Sequence, residues 1–102
     1  MESGEMLKMY CDYHKIRFSK IRKTVLDYLS VADTSLDAES LWIKLRFEGH
    51  TISRTSVYLA LHWLADQGFA NTESKNNKSF YTVGKMNYLE QLVQEKTVNI
   101  NH

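Results

Sequence analysis

The sequence has 102 residues, of which 43% are hydrophobic and 25% are charged, and its formal net charge is +1 at pH 7. This length and balance predict one globular domain with a small core, and they exclude a chain that is disordered throughout. No apolar run approaches the roughly 18 residues that a transmembrane helix needs, and the acidic start lacks the pattern of a secretory signal. The single cysteine, Cys11, cannot form an internal disulfide, so we expect a reducing, cytoplasmic location.

Four amphipathic segments predict helices in the first two thirds of the chain. The first runs from about residue 5 to residue 14, and Ser19, Asp37 and Ser53 are suited to cap the three that follow. Gly49 and Gly68 are suited to end the last two helices in the left-handed conformation. The apolar stripes are Met6, Met9, Tyr10 and Tyr13; Ile21, Val25, Leu26 and Leu29; Ala38, Leu41, Trp42 and Leu45; and Val57, Leu61, Leu64 and Ala65.

After Gly68 the apolar pattern changes to that of strands. Residues 69–73 and 79–83 predict two short strands, and the polar residues 74–78 predict the turn between them. A final amphipathic helix is predicted over residues 85–97. Three helices followed by a hairpin predict an α+β fold, a winged helix-turn-helix with additional N- and C-terminal helices. We expect one winged-helix domain over residues 1–102, with its core at 19–83.

The segment 53–67 would be the recognition helix of such a motif. When its apolar stripe faces the core, residues 55, 59, 62 and 66 point to the opposite side, and the free N–H groups of its first turn suit a phosphate. Between Lys15 and Asp27 cations outnumber acids by five to one, a pattern typical of nucleic-acid binding and also of a solvated helix face. The candidate DNA-binding residues are Lys15, Arg17 and Lys20 before the second helix; Ser53, Arg54, Thr55, Ser56, Tyr58 and His62 on the recognition helix; and Lys75, Asn76, Asn77 and Lys78 on the wing.

Four segments resemble the ferric-uptake-regulator family in order and spacing. Residues 17–22, RFSKIR, resemble its x-x-T-x-x-R opening, and residues 37–42, DAESLW, resemble its S-A-E-x-L-(Y/W) helix start. Residues 52–58, ISRTSVY, resemble its I-S-x-A-T-V-Y-R, and residues 61–68 its L-x-x-L-x-x-x-G. The resemblance implies the winged-helix domain of a bacterial transcription regulator that binds AT-rich inverted repeats as a dimer. It also implies that Arg17 enters the minor groove and that Tyr58 contacts bases.

Three departures from the family pattern change these expectations. Leu59 stands where the family has an arginine, and its side chain can contact a thymine methyl but cannot neutralise a phosphate. Thr34 and Ser35 stand where sensors of the family carry histidines. The sequence continues only to residue 102 after the wing, so we expect it to lack the family's C-terminal dimerisation domain with its metal sites. We therefore predict no metal and no other cofactor.

Two hypotheses for the function follow from these patterns. The first is a sequence-specific regulator, more narrowly a repressor, that binds double-stranded DNA as a homodimer, with no membrane or small-molecule partner. The second is a protein-interaction module whose apolar Leu59 and Trp63 bind a protein, unless Trp63 packs against the wing or the N-terminal helix. The stripe of the last helix either packs on the first helix or forms the dimer contact; it consists of Met86, Leu89, Leu92 and Val93.

The sequence shows none of the patterns that an enzyme of this size would need. It has no paired-carboxylate, Ser–His–Asp, glycine-rich-loop or H-E-x-x-H arrangement. Cys11 and His14 have the spacing of half a zinc site, but a structural site needs four ligands and no second pair is evident. We therefore do not expect catalysis or a structural metal.

Overall fold

The structure, a computed structural model, describes residues 3–84. Four helices and a three-stranded antiparallel sheet of order β1-β3-β2 form a winged helix-turn-helix, which confirms the predicted fold class. Helices α2 to α4 are the three-helix core, and the hairpin β2–β3 is the wing. No helix in this range is long and apolar enough to cross a bilayer. The elements are α1 (Ser3–His14), α2 (Lys20–Val31), β1 (Leu36–Asp37), α3 (Ala38–Phe47), α4 (Arg54–Asp66), β2 (Ala70–Lys75) and β3 (Lys78–Val83).

The helix boundaries are set by the caps that the sequence predicts. Each capping side chain accepts a hydrogen bond from a backbone N–H three residues later, and Gly49 and Gly68 have φ of +92° and +87°, where a side chain is strained. These caps separate α3 from α4 by a short turn and leave the first turn of α4 at the surface. The cap distances are 3.2 Å for Ser19 to Arg22, 3.4 Å for Asp37 to Ser40 and 3.1 Å for Ser53 to Ser56.

The core lies between the four helices and the sheet, and α4 contributes one face to it. Its buried residues are Val57, Ala60, Leu61 and Leu64, while Ala65 is half-buried. The opposite face, at residues 55, 59, 62 and 66, is exposed as predicted. The helix therefore has one face in the core and the other free for a partner.

The predicted apolar stripes of α1 and α2 are wrong in part. Leu7 and Cys11 are fully buried, whereas Met9 and Tyr13 are 41% and 56% exposed. Apolar residues surround most of α1, so helical spacing alone does not select the face that packs against its neighbours. Ile21 is also exposed, because it lies in the first turn of α2 and the buried stripe begins at Val25.

The sheet differs from the prediction in two ways. The strand β1 was not predicted, since two residues carry no alternation; Leu36 pairs with Tyr81 in β3. The predicted five-residue turn is a two-residue turn at Asn76 and Asn77, both with positive φ of 51° and 64°, the conformation of a tight hairpin that matches the twist of its strands. The strands therefore continue up to the turn, and the wing is longer and more regular than the sequence predicts. The predicted C-terminal helix, with Met86, Leu89, Leu92 and Val93, lies outside the described residues.

Candidate nucleic-acid interface

The outward face of α4 begins at its capped N-terminus. The Ser53 hydroxyl accepts the Ser56 backbone N–H and donates to the Ser56 hydroxyl at 2.9 Å, so both serines serve the helix end. The other candidate side chains of this helix are exposed: Arg54, Thr55, Tyr58 and His62, together with Leu59. The predicted recognition helix thus presents one continuous row of polar, aromatic and aliphatic groups to solvent.

Tyr58 joins this face to the wing. It lines a hollow of about 300 Å³ together with Asn77 and Lys78 of the wing and Glu39 at the start of α3. Its ring lies nearly parallel to that of His62, at 13°, with centroids 6.2 Å apart. Recognition helix and wing therefore form neighbouring walls of one concave surface.

The exposed tip of the wing is linked to the buried carboxylate of Asp37. All four predicted wing residues, 75 to 78, are exposed. Lys78 Nζ lies 3.7 Å from Asp37 Oδ2, and Lys75 Nζ lies 3.6 Å from Glu73 Oε1. Hydrogen bonds from Ser40, above all from its side chain, lower the pKa of the buried Asp37 carboxyl, and the charge of Lys78 acts in the same direction. Asp37 therefore stays ionised as both helix cap and partner of the wing.

Arg54 occupies the corner between α3 and α4. Its guanidinium lies 3.2 Å from Glu39 Oε1, and its carbon Cζ lies 4.5 Å from the ring centroid of Trp42. The Trp42 indole N–H donates to the Ile52 carbonyl at 3.0 Å, which fixes the ring at the turn. The side chain of Arg54 is thus exposed to solvent and still held in place by two partners.

The segment from Lys15 to Lys20, which joins α1 to the first residue of α2 and which we call the arm, differs from the wing in how its charges are paired. Lys15 follows the last residue of α1 with φ of 56°, and the backbone N–H of Ile16 donates to the Cys11 carbonyl. Lys15, Arg17 and Lys20 are exposed and form no ion pair with any other residue in the range 3–84. On α4 and the wing, by contrast, each lysine and arginine faces a carboxylate, and His62 lies 3.7 Å from Asp66.

Leu59 and Trp63 do not share one apolar surface. Trp63 is half-buried; Tyr10 of α1 meets it at 85° and the Phe69 ring lies parallel to it, with centroids 6.2 and 6.5 Å away. The guanidinium of Arg22 covers the ring at 4.0 Å. Leu59 is 59% exposed. The N-terminal helix therefore covers Trp63, and Leu59 alone is left as an aliphatic group on the recognition face.

Metal-ligand chemistry is not assembled in the described part of the chain. Cys11 is buried in the core, where burial raises the pKa of its thiol, while His14 is exposed. No group of three histidine, cysteine, aspartate or glutamate side chains within residues 3–84 is placed to hold a metal ion.

Sequence reasoning missed two residues that shape the interface. Glu39 and Trp42 lie 15 and 12 positions before Arg54, and no local spacing rule connects them. Only the packing of α3 across the start of α4 brings the three side chains together.

Comparisons with known proteins agree with this architecture. The model of the "Ferric uptake regulator family" matches residues 14–102. No curated protein matches the chain by sequence.

Solved structures with the same fold include two regulators. The ferric uptake regulator Fur of Helicobacter pylori has a TM-score of 0.70 and 22% identity, covering 82% of this chain and 59% of that one. PerR of Streptococcus pyogenes, described as acting in peroxide sensing and gene regulation, has a TM-score of 0.71 and 21% identity over 81% of this chain and 58% of that one. This chain thus spans less than two thirds of the length of either.

A third solved structure with a similar fold is a winged-helix domain by itself. The homodimeric winged helix-turn-helix domain Mb0332 of Mycobacterium bovis has a TM-score of 0.55 and 15% identity, covering 98% of this chain and 77% of that one. These likenesses show the fold, and the family model covers most of the sequence. The chain belongs to the ferric uptake regulator family.

Proposed function

We propose that this protein is a transcriptional regulator that binds double-stranded DNA at specific sequences. The observation that carries the proposal is the exposed face of α4: a helix with a capped, accessible N-terminus that presents Arg54, Thr55 and Tyr58 beside a wing. A helix of this kind fits the major groove, where side chains reach base edges. In this proposal α4 lies in the groove and Tyr58 contacts bases, while the wing follows the adjacent backbone.

The arm supplies the phosphate contacts in this proposal. Lys15, Arg17 and Lys20 are exposed and carry charges with no carboxylate partner among the described residues, so they are the cations best placed to neutralise phosphate or enter a narrow minor groove. Ser53, Ser56 and His62 on α4 complete the proposed set, with Lys75, Asn76, Asn77 and Lys78 on the wing.

We further propose that the protein acts as a homodimer and as a repressor. One winged helix makes few phosphate contacts, and a second copy raises affinity through effective concentration. The homodimeric winged-helix domain from Mycobacterium bovis supports this assembly. The proposed contact is the apolar stripe at residues 86–93, a region outside the described residues. Repression follows if the bound dimer denies the same grooves to other proteins.

The alternative function is a protein-interaction module. This function requires an apolar surface formed by Leu59 and Trp63 together. Because Tyr10 and Arg22 cover the Trp63 ring, only Leu59 is available for such a surface. A row of polar groups around one leucine suits a nucleic acid better than an apolar protein patch. Nothing in the described fold favours catalysis over either kind of binding.

Selection of bound sequences from a random oligonucleotide pool tests the proposed function. We expect an enriched site, with an inverted repeat if the protein binds as a dimer, and fluorescence anisotropy should show affinity falling with salt. Failure to enrich any sequence, together with no retention on mixed genomic DNA at moderate salt, would refute DNA binding. Sedimentation that shows only an 11.9 kDa species at tens of micromolar would refute the dimer, and a promoter reporter tests repression.

A further inference from the structure

The recognition helix carries one lysine or arginine, Arg54, and the fold places a carboxylate against it. Glu39 comes from the neighbouring helix α3, and its Oε1 lies 3.2 Å from the Arg54 guanidinium. The ring of Trp42 holds the same guanidinium at 4.5 Å. Both charged side chains are more than half exposed, at 61% for Arg54 and 53% for Glu39. The pair therefore lies on the surface that would meet DNA.

Apart from this pair, the structural contribution of Glu39 is that of an acidic residue in the first turn of α3, where its charge favours the helix dipole. The cap of α3 is Asp37, whose side chain accepts the backbone N–H of Ser40, and the Glu39 side chain points outward. Because the cap is made by Asp37 and the Trp42 ring is held by Ile52, replacing the Glu39 carboxylate by an amide should leave both in place. Because Trp42 keeps its contact, Arg54 would stay near its present position with its charge no longer paired.

A carboxylate at this distance competes with a phosphate for the same guanidinium. On duplex of arbitrary sequence, phosphates are the main attraction for a cation. To bind a phosphate, Arg54 must first give up its ion pair with Glu39. The net free energy that the phosphate contact adds to binding is therefore small. At a specific site, the base and groove contacts fix the position of α4 without a phosphate contact from Arg54, so Arg54 can keep Glu39 as its partner there and the pair costs the specific complex less.

We propose that Glu39 is a specificity-determining residue that masks Arg54 from phosphate and so weakens binding to non-specific duplex. The proposal builds on the DNA-binding function above and assigns Glu39 a role within it. Surface ion pairs are individually weak, so the effect is a bias and not an on–off switch. It nevertheless acts at every position of a long DNA, where competing sites outnumber the specific one.

The test compares Glu39→Gln with the wild type on two duplexes, the selected site and a scrambled one, over a series of salt concentrations. We expect Glu39→Gln to bind the scrambled duplex about two- to fivefold more tightly and to steepen its salt dependence by up to about one unit, the value for one additional phosphate contact. Affinity for the selected site should rise less, so the ratio between the two falls.

Two further variants separate masking from other effects of charge. Glu5→Gln removes the same charge from the exposed first turn of α1 and should leave the ratio near the wild-type value. In an Arg54→Gln background, Glu39→Gln should change scrambled-duplex binding clearly less than it does in the wild type, because the masked cation is gone. Matching thermal midpoints for all variants would show that they fold alike.

Several results would overturn the inference. An equal effect of Glu39→Gln with and without Arg54 would mean that Glu39 repels DNA directly, and weaker scrambled-duplex binding would mean that it holds Arg54 ready for phosphate. If the wild type binds the selected site but Glu39→Gln behaves like Glu5→Gln, the masking role is wrong and DNA binding stands. If the wild type binds no duplex, the proposed function itself fails.

Discussion

The guanidinium of Arg22 lies 4.0 Å above the ring centroid of Trp63, which joins the start of α2 to the middle of α4. On its other sides the indole meets Tyr10 of α1 and Phe69 before the wing. One aromatic side chain of the recognition helix is therefore in contact with two other helices and the base of the wing. These contacts leave Trp63 half-buried and tie the middle of α4 to its neighbours.

Replacing Arg22 tests how much this cover contributes to stability. Arg22→Ala should lower the free energy of unfolding by about 1 kcal/mol, the sum of a cation–π contact and the packing of the arginine stem. Arg22→Lys keeps the charge and loses the planar stack, so its free energy of unfolding should lie between those of the wild type and Arg22→Ala. Urea unfolding measures all three proteins. An Arg22→Ala variant as stable as the wild type would show that the stack is only a surface arrangement.

At Gly84 the surrounding backbone leaves no space for a side chain. A Cβ at this residue would lie 2.6 Å from the Gly68 carbonyl oxygen and 2.9 Å from the Phe69 carbonyl carbon, and its N–H donates to the Phe69 carbonyl at 2.7 Å. Since both obstacles are backbone, Gly84→Ala should cost about 3 kcal/mol.

Gly49 is the matched control for this substitution. Its φ of +92° strains any side chain, but nothing lies within 4 Å of a Cβ there, so Gly49→Ala should cost only about 1 kcal/mol. Thermal or urea unfolding gives both values. Equal losses would contradict the claim that a backbone clash, and not conformation alone, requires glycine at position 84.

The sequence was sufficient for the features that depend on local chemistry. Ser19, Asp37 and Ser53 cap their helices as expected because a cap is defined within four residues. The face of α4 was predictable because its apolar stripe is regular and the opposite arc is polar except for Leu59. The stripe of α1 was not, because apolar residues cover most of that helix and only tertiary packing selects Leu7 and Cys11 for the core.

Features of the site that depend on contacts distant in sequence were not predictable. The two-residue strand β1 exists because β3 pairs with it, and Trp63 is covered because α1 and α2 meet there. The carboxylate beside Arg54 comes from another helix. Residue type gave the list of cations, but the fold determines which of them are paired, and this pairing controls how each would act on DNA.

Asp37 predicts a specific pH dependence of stability. Its pKa is lower in the folded protein than its ordinary value of 3.8, chiefly through the hydrogen bond from the Ser40 side chain. A lowered pKa stabilises the folded state at pH values above the ordinary pKa, and this contribution disappears as pH falls through the folded-state value. Asn remains a good helix cap but does not ionise.

The free energies of unfolding of wild type and Asp37→Asn should therefore converge in acid. The wild type should be more stable at pH 5 to 7, and the difference should shrink as the pH is lowered below about 4. Urea unfolding at a series of pH values measures this difference. A gap that is constant from pH 6 to pH 2.5 would assign the role of Asp37 to shape and not to charge.

The conformation of the wing turn predicts that alanine and glycine at position 77 affect the stability of the domain differently. Asn77 has φ of 64°, which asparagine and glycine tolerate and alanine does not. Asn77→Ala should destabilise the domain by about 1 kcal/mol, while Asn77→Gly should stay within about 0.5 kcal/mol of the wild type. Thermal unfolding checks both, and an alanine variant as stable as the glycine variant would mean that the turn adopts another conformation.

The last prediction compares a cation of the arm with one of the wing, and it applies if the protein binds DNA as proposed. Arg17 has no carboxylate partner among residues 3–84, whereas Lys75 lies 3.6 Å from Glu73. Arg17→Ala should therefore reduce the salt dependence of binding by about 0.9 for one lost phosphate contact, and Lys75→Ala should reduce it less, because Lys75 must leave Glu73 to bind phosphate. Lys8→Ala, on the exposed side of α1, controls for net charge. Anisotropy titrations at several salt concentrations give the slopes, and a larger loss for Lys75 than for Arg17 would make the wing, not the arm, the main contact with the backbone.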